Sequence, residues 1–200
     1  MYDSFVAKEG KSQIKILFFL LVFFYIMDCD FLSLLSFVAL LFTIYIYRFK
    51  FIDIATLKND EIYSPIDGKV ISIDTNGFKK SITIDVSIFD SHILRSLDSS
   101  KVEISHKKGT NLLLDSYKAK KLNETFEIKY ENMKMKLISS LFNPSLNIQK
   151  KENYKKGEKI TTFIHGQVII NFESNIEINV SMNDKVISGK TVIAKKIKNS

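Results

Sequence analysis

Ser64-Pro65-Ile66-Asp67-Gly68-Lys69-Val70 opens the part of the chain in which short strands can be read. Pro65 and Gly68 mark a turn, and Asp67 is placed to bond within its own loop. Val70-Ile71-Ser72-Ile73 follows and runs into Asp74-Thr75-Asn76-Gly77, an Asn-Gly hairpin pattern. Beyond it, Ile82, Ile84, Val86 and Ile88 alternate with Thr83, Asp85 and Ser87, the period of a half-buried strand. Similar runs fall at Thr125–Tyr130, Lys134–Ile138, Lys159–Ile164, Val168–Phe172, Ile176–Val180 and Thr191–Ile197. Gly109, Asn143-Pro144, Gly157, Asn183-Asp184 and Gly189 punctuate them. Evenly spaced short strands predict a mostly β fold, an all-β barrel or sandwich over residues 51–200. There is no βαβ alternation and no phosphate-binding glycine loop.

The N-terminal quarter reads differently. Ile16 to Met27 is a run of twelve apolar residues, and Phe31 to Tyr47 is a run of seventeen containing two Ser and one Thr. Asp28-Cys29-Asp30 separates them. A full membrane crossing needs about 20 apolar residues. The second run nearly reaches that length; the first is short unless Lys15 snorkels or the bilayer thins. No small-residue cleavage site follows the first run, which argues against a signal peptide. The expectation is an N-terminal transmembrane helical hairpin over residues 1–50, spanning or re-entrant, turning at Asp28–Asp30. One long tilted span with buried acids is the costlier alternative. Lys8, Lys11 and Lys15 precede the two runs, Arg48 and Lys50 follow them, and no basic residue lies in the turn. By the positive-inside rule both ends face the cytoplasm. The β domain is then expected on the cytoplasmic face of the inner membrane.

The 200 residues carry 29 Lys and Arg against 22 Asp and Glu, a net charge of +7 that favours an anionic partner. The lysines are scattered as singles and pairs, without the basic helix, stacking platform or zinc module of a nucleic-acid binder. Anionic phospholipid is therefore the expected partner, and nucleic acid is not. A generic solvated lysine-rich face accounts for the charge as well. The single cysteine, Cys29, excludes an internal disulfide and argues against a cysteine-based zinc site.

Further pieces stand in a fixed order. Val86-Ser87-Ile88-Phe89-Asp90-Ser91-His92-Ile93-Leu94-Arg95 follows the opening stretch. Asn123-Glu124, Gly157-Glu158-Lys159, His165-Gly166-Gln167-Val168 and a terminal Asp184-Lys185-Val186-Ile187-Ser188-Gly189 come after it. The set resembles the phosphatidylserine decarboxylase family in its short, membrane-anchored form. The family's Ser-Pro-Ala-Asp-Gly motif matches Ser64 to Gly68, with Ile66 in place of Ala. Its Phe-Asp-x-His-x-x-Arg motif matches Phe89 to Arg95 without a gap. Asn-Glu-Arg is kept as Asn123-Glu124 with Thr125 in place of Arg, and Gly-Glu-Arg as Gly157-Glu158-Lys159. Nine residues after the first Gly of that last motif the family places a Gly-Ser pair; here the count lands on Gly166, and Gln167 follows it.

The resemblance implies a role in phospholipid metabolism, the making of phosphatidylethanolamine, by a self-processing carboxy-lyase. In such an enzyme the Ser hydroxyl attacks the carbonyl of the preceding Gly, and elimination cleaves the chain and leaves a pyruvoyl group, so no separate cofactor is bound. It further implies that Asp67 helps activate the nucleophile and that His92 lies beside it. Asp67 in Pro-x-Asp-Gly also serves as an ordinary turn residue, and His92 as a packed histidine; His106 and His165 have no motif behind them. Gln167 has no β-hydroxyl, and Gly109-Thr110, the one glycine followed by a hydroxyl residue, lies far upstream. The expectation is a chain impaired in pyruvoyl formation and decarboxylation. It would bind membrane phospholipids, with phosphatidylserine the one the resemblance implies, or associate as a homo-oligomer or with a related enzyme. The Pro-x-x-Gly-x-Val and Asp-x-Val stretches also resemble hybrid-barrel carrier domains, which makes a non-catalytic binding module at the membrane the alternative. A scaffold with a membrane hairpin is a third reading.

Overall fold

The computed structural model describes residues 6–48, 52–77, 79–143, 148, 151–173 and 176–197. Lys50 and Pro144, named above, lie outside the described residues. The chain divides into two compact units, Met1–Lys50 and Phe51–Ser200.

In the first unit the apolar runs form α1 (Lys11–Ile26) and α2 (Asp30–Ile46), packed along each other. Between them Asp28 takes a left-handed φ of 57°, which reverses the chain. The amides of Met27, Asp28 and Cys29 bond back to the Phe23, Tyr25 and Phe24 carbonyls and close α1. Phe19, Tyr25, Phe31 and Leu34 stay exposed, while Ser36 and Leu40 are buried.

These helices correct the expected transmembrane hairpin. They have 16 and 17 residues, about 24–26 Å at a rise of about 1.5 Å per residue, against a hydrocarbon core of about 30 Å. No helix among the described residues is long and apolar enough to cross a membrane. The cause is local. The acidic turn ends α1 early, and Lys11, Ser12, Gln13 and Lys15 fill its first turns. The inner-membrane location and the cytoplasmic-face orientation rested on a spanning hairpin, and they fall with it.

The second unit contains, in order, β1 (Glu61–Tyr63), β2 (Gly68–Asn76), β3 (Lys79–Val86), β4 (Ile93–Arg95), β5 (Ser100–Lys101), β6 (Glu103–Lys107), α3 (Tyr117–Leu122), β7 (Thr125–Lys129), β8 (Met133–Ser139), β9 (Asn153–Tyr154), β10 (Lys159–Thr162), β11 (Gly166–Phe172), β12 (Ile176–Ile178), β13 (Lys185–Val186) and β14 (Val192–Lys196). Seven strands form one antiparallel sheet in the order β13-β2-β3-β11-β8-β7-β6. Smaller sheets pair β1-β14-β12, β10-β4 and β5-β9. The large sheet is open, which corrects the expected closed barrel. Its edges are a two-residue strand, β13, and the largely exposed, charged β6, neither of which offers a surface for closure. With three α-helices among the described residues, the fold is mixed rather than all-β.

Alternation along the strands sorts the two faces of the large sheet. Val70, Ile82, Ile84, Val86, Val168, Ile170, Phe172, Met135 and Leu137 are fully buried and form one core with Ile62, Ile176, Ile193 and Leu94 from the smaller sheets. The residues between them, including Asp85, Gln167 and Ile169, face the other way. The register sets Gly166 opposite Val86 on one side and Ser139 on the other, and Gln167 opposite Asp85 and Ile138. One end of the sheet thus gathers the starts of β2 and β11 and the ends of β3 and β8.

Phe172→Ala should destabilise the chain by about 3–5 kcal/mol, because it empties a fully buried core site. Ile169→Ala, on the opposite face and partly exposed, should cost about 1–2 kcal/mol. Urea unfolding midpoints of the two variants check the difference, and equal shifts would contradict this assignment of faces.

Candidate functional site

The opening motif is tied into the end of the chain. The Ser64 amide donates to the Thr191 carbonyl (2.8 Å), and the Gly189 amide donates to the Ser64 carbonyl (2.9 Å). The Ser64 hydroxyl donates to the Ile66 carbonyl (2.7 Å) and shapes the turn. The Asp67 carboxylate, buried, accepts the Ser188 N–H at 2.8 Å. The Ser188 hydroxyl in turn lies 3.0 Å from the Pro65 carbonyl and 3.4 Å from that of Ile93. Gly68 brings β2 against β3 so closely that a Cβ there would sit 2.5 Å from the Asp85 carbonyl.

The Phe89–Arg95 motif meets the same place. The Arg95 amide donates to the Pro65 carbonyl (2.8 Å), and its guanidinium Nη1 donates to the Gly157 carbonyl (3.1 Å). Burial pushes the Arg95 guanidinium down from its usual value, and the negative charge of Asp67 works against that shift. The Gly157-Glu158 pair holds this strand further: Gly157 N–H donates to the Ser96 carbonyl, and Ser96 N–H donates to that of Glu158.

His92 is 1% exposed. Its Nε2 lies 3.2 Å from the Ser87 carbonyl, which assigns the proton to Nε2. Ser87 is the residue after Val86, the partner of Gly166. The His92 carbonyl accepts the Phe163 amide (2.8 Å), which joins this loop to the approach to β11.

Gly166 has φ of 141°, a conformation that side chains rarely adopt. A Cβ there would collide with the Ile138 carbonyl and lie 2.9 Å from the Phe163 ring. Asn143 holds the two residues before it. Its Oδ1 accepts the Ile164 (2.8 Å) and His165 (3.2 Å) amides, and its Nδ2 donates to the His165 carbonyl. The His165 ring is fixed through Nδ1, 3.0 Å from the Leu141 carbonyl. Asn123 braces the neighbouring strand, donating to the Ser139 (2.8 Å) and Leu112 (2.6 Å) carbonyls and accepting the Leu112 amide (2.9 Å).

Gln167 is 7% exposed. Its Oε1 is sealed from solvent and has no hydrogen-bond donor among the described residues. A cleft of about 200 Å³ opens over Gly166 and Gln167, walled by Asp85, Leu113, Leu114 and Asp115.

The four positions singled out in the sequence therefore share one end of the sheet. Asp67 and His92 approach it from the motif loops, and Gly166 and Gln167 form the floor of the cleft; neither Asp67 nor His92 lines that cleft. His106 stands apart on β6, bonded to Glu124 (2.8 Å) and stacked on Phe126 (3.9 Å). Asn143 and Ser188 went unrecognised: Asn143 reads in the sequence as a turn marker, and Ser188 only as part of the terminal motif. No group of three metal-ligating side chains occurs among the described residues.

A phosphatidylserine decarboxylase family profile matches residues 41–194. Three curated relatives are each named a phosphatidylserine decarboxylase proenzyme. That of Chlorobium limicola is 26% identical over 170 residues, 78% of this chain and 80% of the relative. That of Pelagibacter ubique is 27% identical over 212 residues, 96% of each. That of Desulfotalea psychrophila is 25% identical over 207 residues, 94% of this chain and 95% of the relative. No solved structure matches the chain. With the profile covering far more than half of the sequence, through the opening motif, all three histidines and the terminal motif, the chain belongs to the phosphatidylserine decarboxylase family.

Proposed function

We propose that this protein is a phosphatidylserine decarboxylase relative that remains one uncleaved polypeptide and binds phospholipid without decarboxylating it. The observation that carries the reading is the residue after Gly166. A pyruvoyl group arises by attack of a β-hydroxyl on the preceding carbonyl, and Gln167 has an amide two carbons further out. The residues present do not fit that group. Asp67 and His92 are the remaining members of the processing arrangement. In this chain the Asp67 carboxylate accepts the Ser188 amide, and His92 Nε2 reaches the Ser87 carbonyl. Phospholipid as the ligand is supported by the names of the relatives and by the net charge of +7.

Purified protein should run on a denaturing gel and in intact-mass measurement as a single chain of 23.0 kDa. A break between Gly166 and Gln167, releasing residues 167–200, would overturn the proposal.

Gln167→Ser returns a hydroxyl to a position whose glycine conformation and backbone clamp are in place. The expected outcome is time-dependent cleavage after Gly166, followed by the same gel. A folded Gln167→Ser chain that stays intact for days would show that more than the nucleophile is missing.

A further inference from the structure

The large sheet ends at β6, and all five residues of that strand, Glu103 to Lys107, are at least partly exposed. The Tyr130 amide donates to the Met133 carbonyl at the β7–β8 turn (2.8 Å), which sets the bonding phase of β7. Phe126 and Ile128 therefore direct their backbone groups to β8, and Thr125, Glu127 and Lys129 direct theirs to β6. The partners of these three on β6 are Lys107, Ser105 and Glu103. Ile104 and His106 are left with amides and carbonyls turned to the open side, where nothing among the described residues bonds them. Val102, in phase with these two, donates to the Glu152 carbonyl (2.9 Å), so the cover given by the β9 segment stops just short of β6.

A row of unpaired backbone groups is a template for another strand. The side chains specify which strand. Glu103, Ser105 and Lys107 stand in line on the outer face of the sheet, and the Glu103 side chain is 80% exposed, with Lys129 no nearer than 3.8 Å. When a second β6 runs antiparallel to the first with Ser105 on the two-fold axis, Glu103 of each copy faces Lys107 of the other. Ile104 then lies opposite His106 of the second copy as a hydrogen-bonded pair, and these are the residues whose backbone groups are open. Sliding the register by two residues in either direction keeps the bonding phase but loses both opposite-charge pairs. The charges that keep β6 from indiscriminate pairing are thus complementary to themselves. We propose that β6 pairs with β6 of a second copy of this chain in that register, joining two seven-stranded sheets into one. The axis stands perpendicular to the sheet, so the two outer faces become one surface and the two cleft-bearing ends point in opposite directions. Five residues on each side make a small contact beside the roughly 1,200–2,000 Å² of a stable interface, so the dimer is weak and concentration-dependent. It involves neither Gly166 nor Gln167 and stands apart from the question of cleavage there.

Sedimentation equilibrium of the full chain measures the dissociation constant. Glu103→Lys and Lys107→Glu each turn both cross-copy pairs into like-charge pairs, and each should weaken the dimer about tenfold. Both positions are exposed, so folding is not at stake. The double variant Glu103→Lys/Lys107→Glu should recover the original strength. An equimolar mixture of the two single variants should associate more tightly than either alone, because the mixed pair is complementary again. The register is checked by Ser105→Cys in a chain carrying Cys29→Ser. In a non-hydrogen-bonded pair on the axis the two Cα atoms lie about 4.5 Å apart, within disulfide range. Oxidised glutathione should link the two thiols into a dimer on a non-reducing gel, while Thr75→Cys, exposed on β2, should stay monomeric in the same background. A chain that is monomeric at every concentration would overturn the proposal. So would a dimer that ignores both single charge variants, as one held by the exposed apolar helices would. A double variant as weak as the singles, or Ser105→Cys linking no better than Thr75→Cys, would overturn it equally.

Discussion

The hydrogen bond from the Ser188 amide to the Asp67 carboxylate joins two residues 121 positions apart, and the site end of the large sheet is organised around it. A charge-assisted bond of this kind contributes about 1.5–3 kcal/mol, and losing its donor would leave a buried carboxylate short of a partner. Its effect on geometry is larger than that figure suggests. Ser188 also contacts the Pro65 and Ile93 carbonyls, so one residue fixes the turn before β2 and the loop that carries His92. Because Lys69, just after that turn, lies side by side with Asp85, Gln167 and Ile138 in the sheet, fixing the turn limits where the others can sit.

The same sheet separates two jobs. Its inner face is a continuous apolar surface, from Val70 through Ile84 and Val168 to Leu137, and supplies the burial that holds the unit together. Its outer face carries Asp85 and Gln167 in adjacent strands. The period of two thus lets a strand be wholly structural on one side and chemically specialised on the other. A substitution at Gln167 can alter the cleft while leaving Val168 in the core.

Much of this was legible in the chain, and the failures have definite causes. The alternating stretches gave away β3, β7, β8 and β11, because alternation is local and burial on one face is strong. The two-residue strands β5, β9 and β13 carry no period and could not be read. Asn143 and Ser188 act through partners far away in sequence, so nothing in their neighbours announces them. The apolar N-terminal runs were misread for a different reason. Composition there is that of a membrane span, but length decides, and the left-handed turn at Asp28 caps α1 at sixteen residues. Barrel closure was misread because strand spacing reports how many strands exist and says nothing of whether the edge strands meet.

The motif residues read in the sequence acquire a plain structural explanation. Gly68 is required because β3 leaves no room for a Cβ, and Gly166 because its φ and the Ile138 carbonyl forbid one. Asp67 is required as the acceptor for Ser188, and Asn123 as the brace between Ser139 and the cleft wall. Each of these would be kept by a protein that needed only the fold. Gln167 is the exception. Its side chain closes no hydrogen bond within the described residues, and its buried oxygen is an expense to the fold rather than a support. Among these positions Gln167 is therefore the one whose identity the fold does not explain, because its neighbours in the strand hold the sheet together whatever side chain stands there.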